Sequence, residues 1–384
     1  MKRFTRVCTT LAALTLALAA CGGDEPTDTT AEETAAPTTT QAPTTTPPEA
    51  DAATTTAPPE TSAGEPITAC QVTDTGGIDD KSFNQTAWKG VTDAQAAGYA
   101  SADSDYVESQ TATDYQPNIQ AFLDKGCDLI VTVGFLLGGD TQAMAEANPD
   151  RNFQIIDFAY DEGLVPNVQG AIFGTTDAAF LAGYLAAGMT ETGTIATYGG
   201  IQVGCPVTCF MDGFVYGARY YNEVKGTDVK VLGWNPEEET GVFTGDFEDE
   251  LKGRNVTQSF VDEGADVVLP VAGPVGKGSA ALALEQGDLW VIGVDADWFD
   301  TLPEYEDVIL TSVLKGLDVA VFTAIKEVAE GMFQGGTRLY TIAEDGVGVG
   351  ALAADVPADL AAEVEEIRGR LKDGSLVATE FKQS

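Results

Sequence analysis

The sequence predicts an α/β protein of two lobes, each built on a parallel sheet flanked by helices, with a cleft between them. Short β-branched runs that end in Gly or Asp alternate with amphipathic stretches from Ile67 onward, the pattern of parallel α/β units. The segment Ile67–Ser384 is longer than one small core usually holds. The two halves also resemble each other: Asn118–Phe135 aligns with Val256–Gly273 at a constant offset of 138, matching Gln120 with Gln258, Phe122 with Phe260, Asp124 with Asp262, Gly126 with Gly264, Asp128 with Asp266 and Val133 with Val271.

The chain begins with a leader. Lys2, Arg3 and Arg6 precede an apolar run, Leu11 to Ala20, that is too short for a permanent membrane span. Leu18-Ala19-Ala20-Cys21 has the small residues that lipoprotein processing needs before an acylated cysteine, so residues 1–20 read as a signal peptide and Cys21 as the lipidation site. From Gly22 to Pro66 there is no Lys, Arg, aromatic, Val, Ile, Leu or Met. Such a stretch has nothing to bury and is expected to be a disordered tether, with a reach on the order of 35–40 Å.

In the folded part the predicted strands are Ile67–Val72, Asp128–Val133, Phe153–Asp157, Thr194–Tyr198, Asp266–Val271, Trp290–Val294 and Val308–Val313. The predicted helices are Phe83–Ala97, Gln116–Lys125, Asp140–Ala147, Asp177–Gly188, Asp212–Tyr221, Asn255–Glu263, Gly276–Glu285, Gly316–Gly331 and the surface helix Ala358–Lys372. The matched halves are each a helix, a Gly C-cap and a buried strand, a unit common to many α/β chains. Read as pseudo-equivalent lobes, they give the architecture of type I periplasmic binding proteins. Ligands in such sheets sit beyond the C-terminal strand ends, where helix N-termini point.

Composition narrows the chemistry. The net charge of -40 becomes -43 once the leader's three positive charges are removed, a surface that repels nucleic acid and anionic headgroups. Histidine is absent, which excludes Ser-His-Asp and Cys-His catalysis and His-ligated zinc. Beyond Cys8 and Cys21, four cysteines remain for disulfides. Cys205 and Cys209 can close a small loop, and Cys70 and Cys127 lie near the starts of two predicted strands. A metal site at the Cys205–Cys209 pair lacks further soft ligands.

The first strand is followed by Asp74-Thr75-Gly76-Gly77-Ile78-Asp79-Asp80-Lys81-Ser82-Phe83-Asn84. Later come Phe180-Leu181-Ala182-Gly183-Tyr184, Phe210-Met211-Asp212-Gly213-Phe214, Thr244-Gly245-Asp246-Phe247, Ile292-Gly293-Val294-Asp295 and Thr311-Ser312-Val313-Leu314-Lys315. This ordered set resembles the basic membrane protein (BMP) family of ABC-transporter lipoproteins, which includes purine-nucleoside receptors. The resemblance spans essentially all of Ile67–Ser384.

Gly76 and Gly77 let the loop turn and Ser82 suits a helix N-cap. Asp74, at a strand end, can accept hydrogen bonds from a ligand, or serve as a solvated loop or cap residue. The resemblance implies that Phe83 and Phe247 stack on opposite faces of a base. Phe83 alone also suits a core anchor, whereas Phe247 sits in an acidic loop with no evident core role. The resemblance further implies that Asp295 and Lys315 bind the ribose; the alternative is a salt bridge that only staples the hinge. Gly273 would offer backbone where a side chain would block the ligand, and Asn84 and Asp157 are candidates for ligand contact or for caps and hinge. Two departures bear on specificity: Asp295-Ala296-Asp297-Trp298 replaces the family's Asp-x-Asp-Gln, giving Trp298 a chance to stack on the ligand or reshape the ribose pocket, and Cys205–Cys209 is inserted in a loop that flanks the cleft.

The expected organisation is a signal peptide (1–20), a lipidated cysteine with its linker (21–66), lobe 1 (67–173 plus 298–335) and lobe 2 (174–297 plus 336–384). The expected protein is a monomeric, lipid-anchored, extracytoplasmic binding protein that passes a nucleoside to ABC permease subunits. No enzyme activity, cofactor, metal or nucleic acid is expected. A sensing or sugar-binding receptor of the same fold, or a hydrolase using Asp74 and Asp295 as a carboxylate pair, are the alternatives.

Overall fold

A computed structural model describes residues 64–383, so the leader, Cys21 and nearly all of the linker lie outside the described residues. The chain runs β1 (Ala69–Val72), α1 (Phe83–Ala96), β2 (Asp105–Val107), α2 (Tyr115–Lys125), β3 (Leu129–Val133), α3 (Gly138–Ala147), β4 (Asn152–Ile156) and β5 (Val168–Phe173). It continues through α4 (Thr175–Met189), β6 (Thr194–Gly199), α5 (Cys205–Lys225), β7 (Lys230–Leu232) and a short ribbon of β8 (Trp234–Asn235) and β9 (Thr240–Gly241). Next come α6 (Glu250–Asp262), β10 (Val267–Val271), α7 (Gly276–Gln286), β11 (Trp290–Asp295), α8 (Trp298–Thr301) and β12 (Ile309–Lys315). The last elements are α9 (Leu317–Ala329), β13 (Gly336–Tyr340), β14 (Val347–Val349) and α10 (Ala358–Lys372).

Two six-stranded sheets organise these elements, in the orders β13-β5-β4-β3-β1-β2 and β14-β12-β11-β10-β6-β7. Within these two sheets every pairing is parallel except that of β14 with β12, and the separate β8–β9 ribbon is antiparallel. The central strands are buried along their whole length, as parallel strands covered on both faces must be.

The internal repeat reaches well past the aligned stretch. β3 and β10, the 3₁₀ turns Phe135–Leu137 and Gly273–Val275, α3 and α7, and β4 and β11 all start 138 residues apart. The same offset pairs Asp157 with Asp295 at the strand ends, where both backbones are left-handed, at φ 65° and 69°. A second register, offset by 127, pairs Phe83, the first residue of α1, with Phe210, the sixth of α5, and Gly90 with Gly217 seven residues further along each helix. Those two glycines do the same job: a Cβ would lie 2.5 Å from the Asp318 carbonyl of α9 at one and 2.0 Å from the Phe180 carbonyl of α4 at the other, so each helix seats closely on its partner.

The chain passes between the lobes three times. The first passage is at Gly174, after β5. The second follows β12, whose pairing with β11 puts residues 309–315 in the second sheet. The expected assignment of 298–335 to lobe 1 is therefore corrected: the chain returns only at Gly316, and α9 then packs on α1 while Gln154 Nε2 donates to the Ala320 carbonyl. The boundary was misplaced because β12 and α9 form one unbroken unit in sequence. The third passage is also corrected, since β13 (336–340) pairs with β5 in the first sheet before β14 joins the second. All three passages meet, with Gly174 N donating to the Tyr340 carbonyl and Gly316 N to the Gly346 carbonyl, both at 2.9 Å.

Disulfides join Cys70 to Cys127 and Cys205 to Cys209. The first ties β1 to the entry of β3, its neighbour in the sheet. The second lies within the first turn of α5, because a four-residue spacing puts both thiols on one helix face and Pro206 suits a helix start. The expected loop there is instead helix.

The loop closed by Cys70–Cys127 spans 57 residues and that closed by Cys205–Cys209 only 4. Chain-entropy arguments give about 4 kcal/mol for the former and about 2 for the latter. Urea denaturation of the two double Cys→Ala variants should therefore show the larger loss of stability for Cys70→Ala/Cys127→Ala.

Candidate ligand-binding site

Strand ends of both sheets face each other across a cleft lined by residues of both lobes, the place where ligands of such sheets sit. All eight residues singled out in the sequence border it: Asp74, Phe83, Asn84 and Asp157 from the first lobe, and Phe247, Gly273, Asp295 and Lys315 from the second.

Lys315 ends β12 and is buried, with its Nζ 2.5 Å from Asp157 Oδ2. Its ammonium also lies over three rings, at 5.0 Å from Phe83, 5.3 Å from Phe173 and 5.6 Å from Phe210. The Asp–Lys salt bridge considered from the sequence thus forms with Asp157, not Asp295. Asp295 instead accepts a hydrogen bond at 2.8 Å from Ser82 Oγ of the other lobe. Burial pushes both aspartates above the usual carboxylate range; Lys315 pulls each back, and Ser82 helps for Asp295.

Also bordering the cleft, Asp74 Oδ1 accepts from Asn84 Nδ2 at 2.8 Å and from Gly76 N at 3.2 Å. Burial lifts its pKa to about 6 despite these donors. The Asn84 Oδ1 is buried without a partner, a polar group turned to no protein donor. Asp80 caps α1, its carboxylate accepting from the backbone N–H groups of Ser82, Asn84 and Gln85. Burial raises it to about 7. Ser82 stands at the cap position, but its side chain makes no cap bond; Asp80 does that work.

Phe247 is held out by a braced loop. Thr244 N and Gly245 N donate to the Gly199 and Gly200 carbonyls, and Asp246 Oδ1 accepts from Glu248 N and Asp249 N. Among the described residues neither Phe83 nor Phe247 pairs with another aromatic ring, and both border the cleft, Phe83 with the Lys315 ammonium over its ring and Phe247 seated against Gly200. At Gly273, left-handed at φ 53°, a Cβ would meet nothing within 4 Å, so the backbone borders open cleft.

The sequence reading missed Phe210, Asp80 and an apolar wall of Phe135, Leu136, Val203, Pro206 and Val207. The register of 127 that matches Phe210 to Phe83 was the signal for the first. Phe135 and Leu136, like Phe247, are large apolar residues in a loop just past a strand, and both stay exposed. Trp298 is a correction in the other direction. It is 1% exposed and packs on Gly276 and Gly293, with Nε1 donating to the Val294 carbonyl at 3.2 Å, so it neither stacks in the cleft nor borders it. Glycine at 276 and 293 leaves the space its indole fills.

The family model for ABC transporter substrate-binding proteins, PnrA-like (Bmp), matches residues 67–370. The chain belongs to the Bmp family. A Bmp-family chain is a substrate-binding component of an ABC transporter, not an enzyme, and its partners are a small molecule and the permease. A CD4+ T-cell-stimulating antigen of Listeria innocua is 31% identical over 329 residues, covering 82% of this chain and 88% of that protein. The ABC transporter nucleoside-binding protein BmpA of Lactococcus lactis is 32% identical over 306 residues, covering 74% and 81%. Among solved structures, an ABC transporter solute-binding protein of Aeropyrum pernix aligns with TM-score 0.69 at 27% identity, covering 81% of this Bmp chain and 93% of its own. Its fold is that of the type I solute-binding proteins. Among the described residues no helix is long and apolar enough to cross a membrane, and no group of three or more acidic or Cys side chains could hold a metal ion.

A carboxyl whose folded pKa is raised stabilises the fold below its unfolded pKa and loses that contribution as pH rises through the folded value. For Asp74 that window runs from about 4 to 6. Asp74→Asn should therefore raise the melting temperature of the ligand-free Bmp protein at pH 7.5 and leave it little changed at pH 4. Thermal scans across this range check the sign.

Proposed function

We propose that this protein captures a nucleoside, with preference for purines, and presents it to the permease of an ABC importer. The observation that carries the reading is that one ring from each lobe, Phe83 and Phe247, borders the cleft without an aromatic partner among the described residues, together with the polar groups Asp157, Asp295 and Lys315. A planar base between two aromatic faces gains apolar burial and about 0.5–1.5 kcal/mol per stacked contact beyond it. A carboxylate and an ammonium together suit a vicinal diol, which both accepts and donates hydrogen bonds. Asp74 and the free Asn84 carbonyl give the cleft two acceptors, which suit a base edge that donates N–H groups.

The charge of the cleft supports a neutral ligand. Asp74, Asp80, Asp157 and Asp295 border it against the single ammonium of Lys315, so a phosphate would be repelled and a nucleotide disfavoured. The nucleoside-binding BmpA of Lactococcus lactis, a relative of this chain, supports the same reading. The rest of the expected organisation belongs to the same proposal: a leader, acylation at Cys21, a flexible tether and a monomer held at the outer face of the membrane. Three passages between lobes form the hinge, and ligand shifts the open–closed equilibrium by binding the closed form better.

Titration calorimetry with inosine and guanosine should show binding, whereas inosine monophosphate and free hexoses should bind at least tenfold more weakly. Phe247→Ala and Asp295→Ala should each weaken nucleoside binding by tenfold or more with little change in melting temperature. A hexose that stabilises the protein in a thermal scan while nucleosides do not would replace this reading with a sugar receptor. At 100 times its dissociation constant, the true ligand adds about 2.7 kcal/mol.

A further inference from the structure

We propose that Ser82 is an interlobe latch and a positioning residue for Asp295, acting on ligand release without touching the ligand. Ser82 belongs to the first lobe, is 2% exposed and does not border the cleft. Its hydroxyl crosses to the second lobe, where Oγ lies 2.8 Å from Asp295 Oδ2 and 3.1 Å from the Val294 carbonyl. The hydroxyl has one proton to give, so the two acceptors share it. Among the described residues Ser82 is the hydrogen-bond partner of the Asp295 carboxylate, which leaves Oδ1 for a ligand.

Both sides of this contact are rigid. Ser82 N donates to Asp80 Oδ1 at 3.0 Å, and the Ser82 carbonyl accepts from Thr86 N at 3.0 Å and Thr86 Oγ1 at 2.5 Å, which fixes it to the first turn of α1. Across the cleft, the Val294 carbonyl also accepts from Trp298 Nε1, and Trp298 N donates to Ser312 Oγ at 2.9 Å. The buried indole thereby braces the strand end on which Asp295 takes its left-handed turn. Asp157, the repeat partner of Asp295, is likewise held from the opposite lobe, by Lys315. Each lobe's matching aspartate is gripped by the other lobe, and such contacts exist only when the lobes are together.

Opening separates Ser82 from Asp295 and returns both to water. The hydrogen bond from Ser82 to the buried Asp295 carboxyl therefore weights the closed form, and its loss speeds opening by about tenfold. Because the ligand meets neither Ser82 atom, association and base selectivity stay as they were.

This inference rests on the nucleoside reading for its ligand, and the experiment separates the two. Ser82→Ala and Ser82→Cys are compared with the wild type, using inosine and guanosine as probes and stopped-flow fluorescence for the rates. Cysteine keeps the volume but is a poor donor, so a packing role would leave Ser82→Cys close to wild type. The expected result is inosine dissociation about tenfold faster in both variants, association within about twofold, and an unchanged inosine-to-guanosine ratio. Wild-type dissociation in Ser82→Cys, or an altered ratio, overturns the latch. If the wild type binds neither nucleoside, the nucleoside reading fails, and the latch is judged on the ligand-free protein by spin-label distances between α3 and α7. A wider distribution in the variants supports it, and an unchanged one overturns it.

Discussion

The ammonium of Lys315 is the contact on which the closed arrangement depends. It stands at the end of β12, one residue before the chain returns to the first lobe at Gly316, and it is paired with Asp157 on that lobe. A cation so deeply placed needs a partner charge and polarisable surroundings, and Asp157 with the faces of Phe83, Phe173 and Phe210 supplies them. Those rings come from both lobes, so what keeps the charge tolerable also draws the two sheets together. The cleft is the space left beside this cluster.

The acidic bias of the chain acquires a local meaning in the cleft. Four carboxyl groups border it, and burial pushes each above its ordinary range. A carboxyl whose pKa is raised by desolvation is costly when ionised, and donor N–H or O–H groups placed on it lower that cost. Buried carboxyls of this kind cost stability, and Asp157 and Asp295 stand at strand ends rather than in either core.

Much of the fold was legible because parallel strands are apolar runs with clear ends: β3, β10 and β11 were read to within a residue. β5 was not, because Gly170 breaks its pattern; a Cβ there would lie 2.5 Å from the Phe158 carbonyl, a packing need invisible in sequence. β13 and β14 are short and largely set by partners far along the chain, and this misplaced the lobe boundaries. Of the site, the residues that touch open cleft were found because a polar or aromatic group just past a strand has few core uses. The positions of Trp298 and Cys205 were misread because burial and helix onset depend on neighbours, Gly276 and Gly293 in one case and the Cys209 bridge in the other.

Where the three connecting segments meet, the link from Tyr340 to Gly346 bonds to both Gly174 and Gly316. Three parallel cords laced side by side bend readily about one line and resist torsion about any other. Were the lobes to move, links tied to one another in this way would confine them to one angular coordinate, and a single spacing between the lobes would then report whether the cleft is filled.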